Sequence, residues 1–163
     1  MPRGTRALQM KSSAGLLIYR FRDNVPEVFL IHPGGPFWKG KEVESWSIPK
    51  GEFSEPENAL SAARREFQEE TGYEAEGPFQ VLTPVKQSSY KMVYAWAATG
   101  DYDATKIQSN TFPMEWPPGS AKIEEFPEAD RAEWFSIPEA KKKIFKGQRP
   151  LLDELEKILK NAG

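Results

Sequence analysis

The chain has 163 residues, 28% of them charged and 39% apolar, which suits one compact domain with a core of its own and differs from a disordered composition. A net charge of -2 gives no general attraction for nucleic acid or an anionic membrane, so phosphate recognition would have to come from local chemistry such as a bound metal. The absence of cysteine excludes a disulfide framework, a thiolate zinc site and a cysteine nucleophile, and makes a cytoplasmic location the default.

The start carries Arg3, Arg6 and Lys11 ahead of an apolar stretch at 14–19. A secretory signal needs roughly 7–15 apolar residues with a cleavage site, and a membrane span about 20, so the stretch reads as the first core strand, over 15–19. Runs of β-branched and aromatic residues predict further strands at 28–31, 46–48, 79–85, 90–98 and 134–137. A first helix is expected over 55–71, with Ser54 and Glu57 as a capping box, Pro56 in the opening turn and Gly72 closing it in a left-handed conformation. Two more helices are expected at 138–145 and 150–160, the last presenting Leu151, Leu152, Leu155, Ile158 and Leu159 at helical spacing. Between these elements, 33–43 and 101–127 are rich in proline and glycine. They read as ordered loops, since Phe112, Trp116 and Phe126 argue against disorder. The order of elements predicts a single α+β domain over 1–163, with a mixed sheet and helices packed on it.

The first helix carries the chemistry. Glu66, Glu69 and Glu70 stand at i, i+3 and i+4 and so share one face, beside an apolar stripe of Leu60, Ala63 and Phe67. Such clustering costs a few tenths of a kcal/mol per pair even when solvated. A hard divalent cation relieves that cost, and magnesium, with manganese as a substitute, prefers oxygen ligands of this kind. Taken alone, three glutamates are more often a solvated acidic face. The wider spacing weighs against that. Gly51, Glu57, Arg65, Glu66, Phe67, Glu69, Glu70, Gly72 and Tyr73, in the segment GEFSEPENALSAARREFQEETGY, fill every fixed position of G-x5-E-x7-R-E-U-x-E-E-x-G-U, and the segment resembles the Nudix box.

The resemblance implies a Nudix-type α/β/α sandwich and a magnesium-dependent hydrolase that cleaves a phosphoanhydride bond of a nucleotide by attack of water on phosphorus. It implies Glu66, Glu69 and Glu70 as metal ligands, with the backbone carbonyl of Gly51, and Arg65 orienting the carboxylates. A plain pair between Arg65 and Glu69 is compatible with that role. Glu57 reads as a cap and a partner for a basic side chain. The general base is Glu66 or Glu128. Glu128 stands six residues before Trp134, a spacing similar to that in the family's dinucleoside tetraphosphate hydrolases, with Glu124, Glu125 and Asp130 as competitors. Tyr90, 18 residues beyond Gly72, is a candidate for stacking on a base, as in members that cleave dinucleoside polyphosphates. Pro84 does not fall where ADP-ribose hydrolases carry a proline. Lys50 is a candidate phosphate contact, and the loop with Phe37, Trp38 and Lys39 a candidate second wall of the site. His32 reads as a strand-end histidine satisfied by hydrogen bonds, and Lys141 to Lys143 as a solvated helix face.

The expected partner is a small nucleotide, a dinucleoside polyphosphate or a nucleoside triphosphate, with neither membrane nor nucleic acid. A non-catalytic nucleotide-binding module would be expected to have lost box carboxylates, all of which are present here. An RNA 5'-end pyrophosphohydrolase would benefit from a basic groove that the balanced charge does not advertise. The family's isoprenoid diphosphate isomerases use a catalytic cysteine, which this chain lacks.

Overall fold

The computed structural model describes residues 10–162, so Arg3 and Arg6 lie outside the described residues. Strands β1 (Lys11–Arg22) and β2 (Val25–Pro33) form an antiparallel hairpin with Arg22 opposite Val25. Its two-residue turn, Asp23-Asn24, has both residues at positive φ, 51° and 66°, the conformation that matches strand twist and that short polar side chains tolerate. Alternation along these strands divides the core. Leu16 and Ile18 of β1 join Phe29 and Ile31 of β2 on one face; Leu17 joins Val28 and Leu30 on the other.

Helix α1 (Ala59–Thr71) covers the first face with Ala62, Ala63 and Phe67. Helices α2 (Ile137–Lys143) and α3 (Arg149–Ala162) cover the second with Ile137, Ala140, Leu151, Leu152 and Leu155. The sheet between them runs β4-β6-β1-β2-β9, where β4 is Gln80–Val81, β6 Lys91–Thr99 and β9 Ala129–Ser136. The strand β3 (Lys50–Glu52) pairs with β1, and β5 (Val85–Ser88) with β6. Because β6 is parallel to β1 and the other pairings are antiparallel, the sheet is mixed, and the whole is an α/β/α sandwich of the α+β class.

Several sequence expectations need correction. Helix α1 starts at Ala59, with Asn58 as its cap: Asn58 Oδ1 accepts the Leu60 and Ser61 amides at 3.0 and 3.2 Å. Ser54 and Glu57 form a turn before it. Gly72 closes the helix at φ 80°, as expected. Residues 46–48 make only isolated bridges, because the buried Gln148 side chain accepts the Ile48 amide at 3.1 Å where a strand neighbour would. The run 79–85 is split into β4 and the start of β5 around Pro84, which has no amide to donate. The 101–127 segment holds a 3-10 turn at Ala104–Lys106 and a hairpin of β7 (Thr111–Glu115) and β8 (Ile123–Pro127), a two-stranded sheet of its own. Lys141 and Lys143 are salt-bridged, to Asp153 and Glu156 and to Glu42, while Lys142 is exposed.

Candidate active site

The box residues meet where β3 crosses the acidic face of α1. Gly51 sits opposite Ala14 of β1, and the Glu66 carboxylate lies directly on its Cα. A Cβ at Gly51 would overlap Glu66 Oε1 and Cδ and come within 2.7 Å of Oε2, so the close approach requires glycine. Next to it, the Lys50 amide donates to Glu70 Oε1 at 3.1 Å, fixing the second buried carboxylate. The spacing that puts Glu66, Glu69 and Glu70 on one face thus aims that face at the β3 backbone.

Arg65 ties the cluster together. Glu57 accepts two bonds from it, Nε to Oε2 at 2.7 Å and Nη2 to Oε1 at 2.9 Å. The remaining nitrogen, Nη1, donates to Glu66 Oε2 at 2.6 Å and Glu69 Oε2 at 3.1 Å. The Arg65–Glu69 pair read from the sequence is therefore one of four contacts. The hydrogen bonds to Glu57, first of all, raise the guanidinium pKa and keep it charged, and Glu57 is lowered in turn. The partner for Glu57 expected from the sequence is Arg65, while the cap is Asn58.

Glu128 arrives from outside the box. It sits between β8 and β9, its amide donates to Asn110 O at 2.8 Å, and its carbonyl accepts the Gly34 amide at 3.0 Å. Asn110 in turn donates to Glu69 O at 2.7 Å, so loop, hairpin and α1 converge on this residue. Its Oε2 is buried without a hydrogen-bond partner. Burial raises its pKa, the charges of Glu66 and Glu69 add to the rise, and Arg65 opposes them. The competitors are placed elsewhere: Glu125 accepts from Thr111 at 2.7 Å, Glu124 is exposed on β8, and Asp130 pairs with His32 at 3.0 Å.

Burial likewise raises Glu66, against Arg65, and raises Glu70 well above the ordinary carboxylate range, against Lys50. Burial and the nearby Lys91 push the Lys50 ammonium down to about 8, against the pull of Glu70, Glu52 and Glu66. Among the described residues no three carboxylate or imidazole side chains are clustered tightly enough to coordinate an ion as they stand, since Glu66 and Glu69 each turn an oxygen to Arg65. The donor set nonetheless fits a hard divalent cation. It comprises burial-raised carboxylates, an orphaned Glu128 oxygen and a β3 backbone that packs against Glu66 with no side chain between.

The other sequence candidates divide. His32 is buried and satisfied on both ring nitrogens, with Nε2 donating to Lys41 O at 2.8 Å and Nδ1 bonded to Asp130. Tyr90 falls in the turn between β5 and β6, half its surface exposed, and not in a strand. Trp38 packs edge-on against Phe145. A separate hollow between Pro84, Lys86 and the start of α3 contains no box residue.

The family model described as NUDIX domain matches residues 10–155, nearly all of the sandwich. The chain belongs to the Nudix family. A curated relative, the asymmetrical bis(5'-nucleosyl)-tetraphosphatase of Rattus norvegicus, is 36% identical over 104 residues, covering 56% of this chain and 67% of the rat protein. A C. elegans Ap4A hydrolase binary complex superposes with TM-score 0.66 at 22% identity, over 93% of this chain and 99% of that one. The NUDIX domain of Shewanella oneidensis NrtR complexed with ADP ribose superposes with TM-score 0.64 at 15% identity, over 98% and 93% of the two chains. At those identities the structural likenesses bear on the fold. This Nudix chain is a nucleotide pyrophosphohydrolase. No helix among its described residues is long and apolar enough to cross a membrane.

Proposed function

We propose that this Nudix hydrolase cleaves a dinucleoside polyphosphate, with nucleoside triphosphates as secondary substrates, and does so with magnesium held by Glu66, Glu69, Glu70 and the Gly51 carbonyl. The whole chain serves as one domain, acting in the cytoplasm. The observation that carries the reading is Glu128: a buried carboxylate oxygen without a partner, next to the box carboxylates and at the spacing from Trp134 noted above. The rat tetraphosphatase supports the substrate class.

When bound, the metal supplies charge neutralisation for the phosphates and a water of lowered pKa. Glu128 accepts the proton of the attacking water as the new P–O bond forms, and the bridging P–O bond breaks to release a nucleotide. Its raised pKa brings it closer to operating pH, which favours a general base. Glu66 suits that role less, since its Oε2 is engaged by Arg65. Arg65 holds Glu66 and Glu69 in place, and Lys50 offers a point charge to a phosphate oxygen. Tyr90 remains a candidate for stacking on a base.

Product chromatography on diadenosine tetraphosphate, nucleoside triphosphates and ADP-ribose tests the substrate reading. Release of ATP and AMP from diadenosine tetraphosphate, faster than turnover of the others, is expected. Preference for ADP-ribose or a triphosphate would overturn it.

A further inference from the structure

Phe37 and Trp116 both stand on elements rooted at Glu128. Phe37 is 60% exposed, yet its loop is not loose. The loop is tied at Gly34 to Glu128, at Lys41 to His32, and at Glu42 to Arg131 and Lys143. Leaving a phenylalanine in water forgoes roughly 1.5–3 kcal/mol of burial, which a fixed loop would be expected to recover by turning the ring inward.

The facing hairpin alternates: Phe112, Met114 and Trp116 are half-buried while Thr111, Pro113 and Glu115 are exposed. Its half-buried face lies along the loop. Phe112 approaches Gly35 at the root, and Trp116 meets Phe37 further out, ring centroids 6.1 Å apart at 80°. An edge-to-face pair leaves a ring face open for a third aromatic. Trp116 donates its amide to the Lys122 carbonyl at 2.9 Å, so that exposed lysine stands across the strand from it.

We infer that Phe37 and Trp116 form a second base subsite, taking the nucleobase at the far end of the polyphosphate from the bond that is cleaved. The inference rests on the dinucleoside polyphosphate reading above. From Thr111, the strand partner of Pro127 beside Glu128, to Trp116 is five residues of extended chain, on the order of 16 Å. A base joined through its ribose to the attacked phosphate would sit nearer the carboxylates, so the base reaching this pair is one separated from it by further phosphates. Two rings are too small a patch for a stable protein interface, which needs roughly 800 Å² per partner. Aromatic faces with a flanking lysine suit a nucleotide.

The test compares diadenosine tetraphosphate with adenosine tetraphosphate, which has the same phosphates and one base. Stacking is worth about 1–3 kcal/mol per base, so Phe37→Ala and Trp116→Ala should each raise KM for the two-base substrate about 5- to 150-fold, with kcat little changed. Their effect on the one-base substrate should be at least about fivefold smaller, and Trp116→Phe should restore most of the loss. Equal changes for both substrates, or none, would overturn the subsite. Tryptophan emission read with diadenosine tetraphosphate and chelator separates the two proposals. Quenching present in the wild type and lost in Trp116→Phe upholds the subsite even if the wild type fails to hydrolyse the compound, which would sink the substrate reading alone. Identical quenching in both proteins, or none, overturns the subsite.

Discussion

Substituting Gly51 by alanine isolates the approach of strand to carboxylate on which the site depends. Its φ is not in the left-handed region, so the backbone tolerates alanine. The added methyl overlaps Glu66 Oε1 and Cδ, and ordinary contact needs about 3.5 Å, so the carboxylate must recede by more than an ångström or so. What must move is the end of a flexible side chain, so the stability cost should be small, no more than about 1–2 kcal/mol. Catalysis should suffer more, because a displacement of about 1 Å at a positioned group can cost roughly 10²-fold, about 2.7 kcal/mol in the barrier. The expected result is kcat down about 10²-fold with a melting temperature within a few degrees of wild type, read by product chromatography and thermal unfolding on the same preparation. Wild-type kcat in Gly51→Ala would refute the reasoning that Glu66 must lie against the β3 backbone. A collapsed melting temperature would show that the pocket is rigid, contrary to the side-chain argument.

The remaining expectations address the carboxylates and the core. Glu70→Gln should cut turnover at least about 10- to 100-fold while holding or raising the melting temperature, since it removes a buried charge and its amide oxygen can still accept from Lys50; a loss of stability would contradict this. Glu66, Glu70 and Glu128 have pKa values raised by burial. In the metal-free protein their contribution to stability is therefore largest below the unfolded carboxylate pKa, about 4.3, and is lost as pH rises through the folded values. Protons compete with the cation for the same oxygens, so magnesium affinity by calorimetry should increase from pH 5.5 to pH 8, and a flat profile would argue against these ligands. Phe67→Ala should destabilise by about 3–5 kcal/mol, because the ring is fully buried against Phe29 and Tyr102. Leu60→Ala should cost no more than about 2 kcal/mol, since Leu60 is only half-buried; equal losses at the two positions would mean that the packing of α1 is misjudged.

Much of the fold and the box was legible because the signals are local. Helical spacing placed Glu66, Glu69 and Glu70 on one face, and the continuous apolar runs at 15–19 and 28–31 marked the two central strands. Two local signals compete at the start of α1: Ser54 with Glu57 fits a capping box, yet Asn58 caps the helix and Glu57 is drawn to Arg65 eight residues on. The Asp23-Asn24 turn was available as a short polar pair between two apolar runs. Other features were hidden because they depend on distant residues. Nothing near Ile48 indicates that Gln148, 100 residues away, occupies its amide. Pro113, Pro117 and Pro118 masked the alternation of β7 in a segment that read as loop. Spacing nominated Glu128, but its separation from Glu124, Glu125 and Asp130 came only with the backbone links to Gly34 and Asn110.

The acidic face of α1 should hold a divalent cation against β3. Manganese binding, followed by electron paramagnetic resonance and competed with magnesium, tests it without reference to any substrate. Wild-type protein should bind manganese, magnesium should displace it, and Glu69→Gln and Glu70→Gln should each weaken binding at least about 10-fold while remaining folded. Undiminished binding in both folded variants, or none in the wild type, would contradict it.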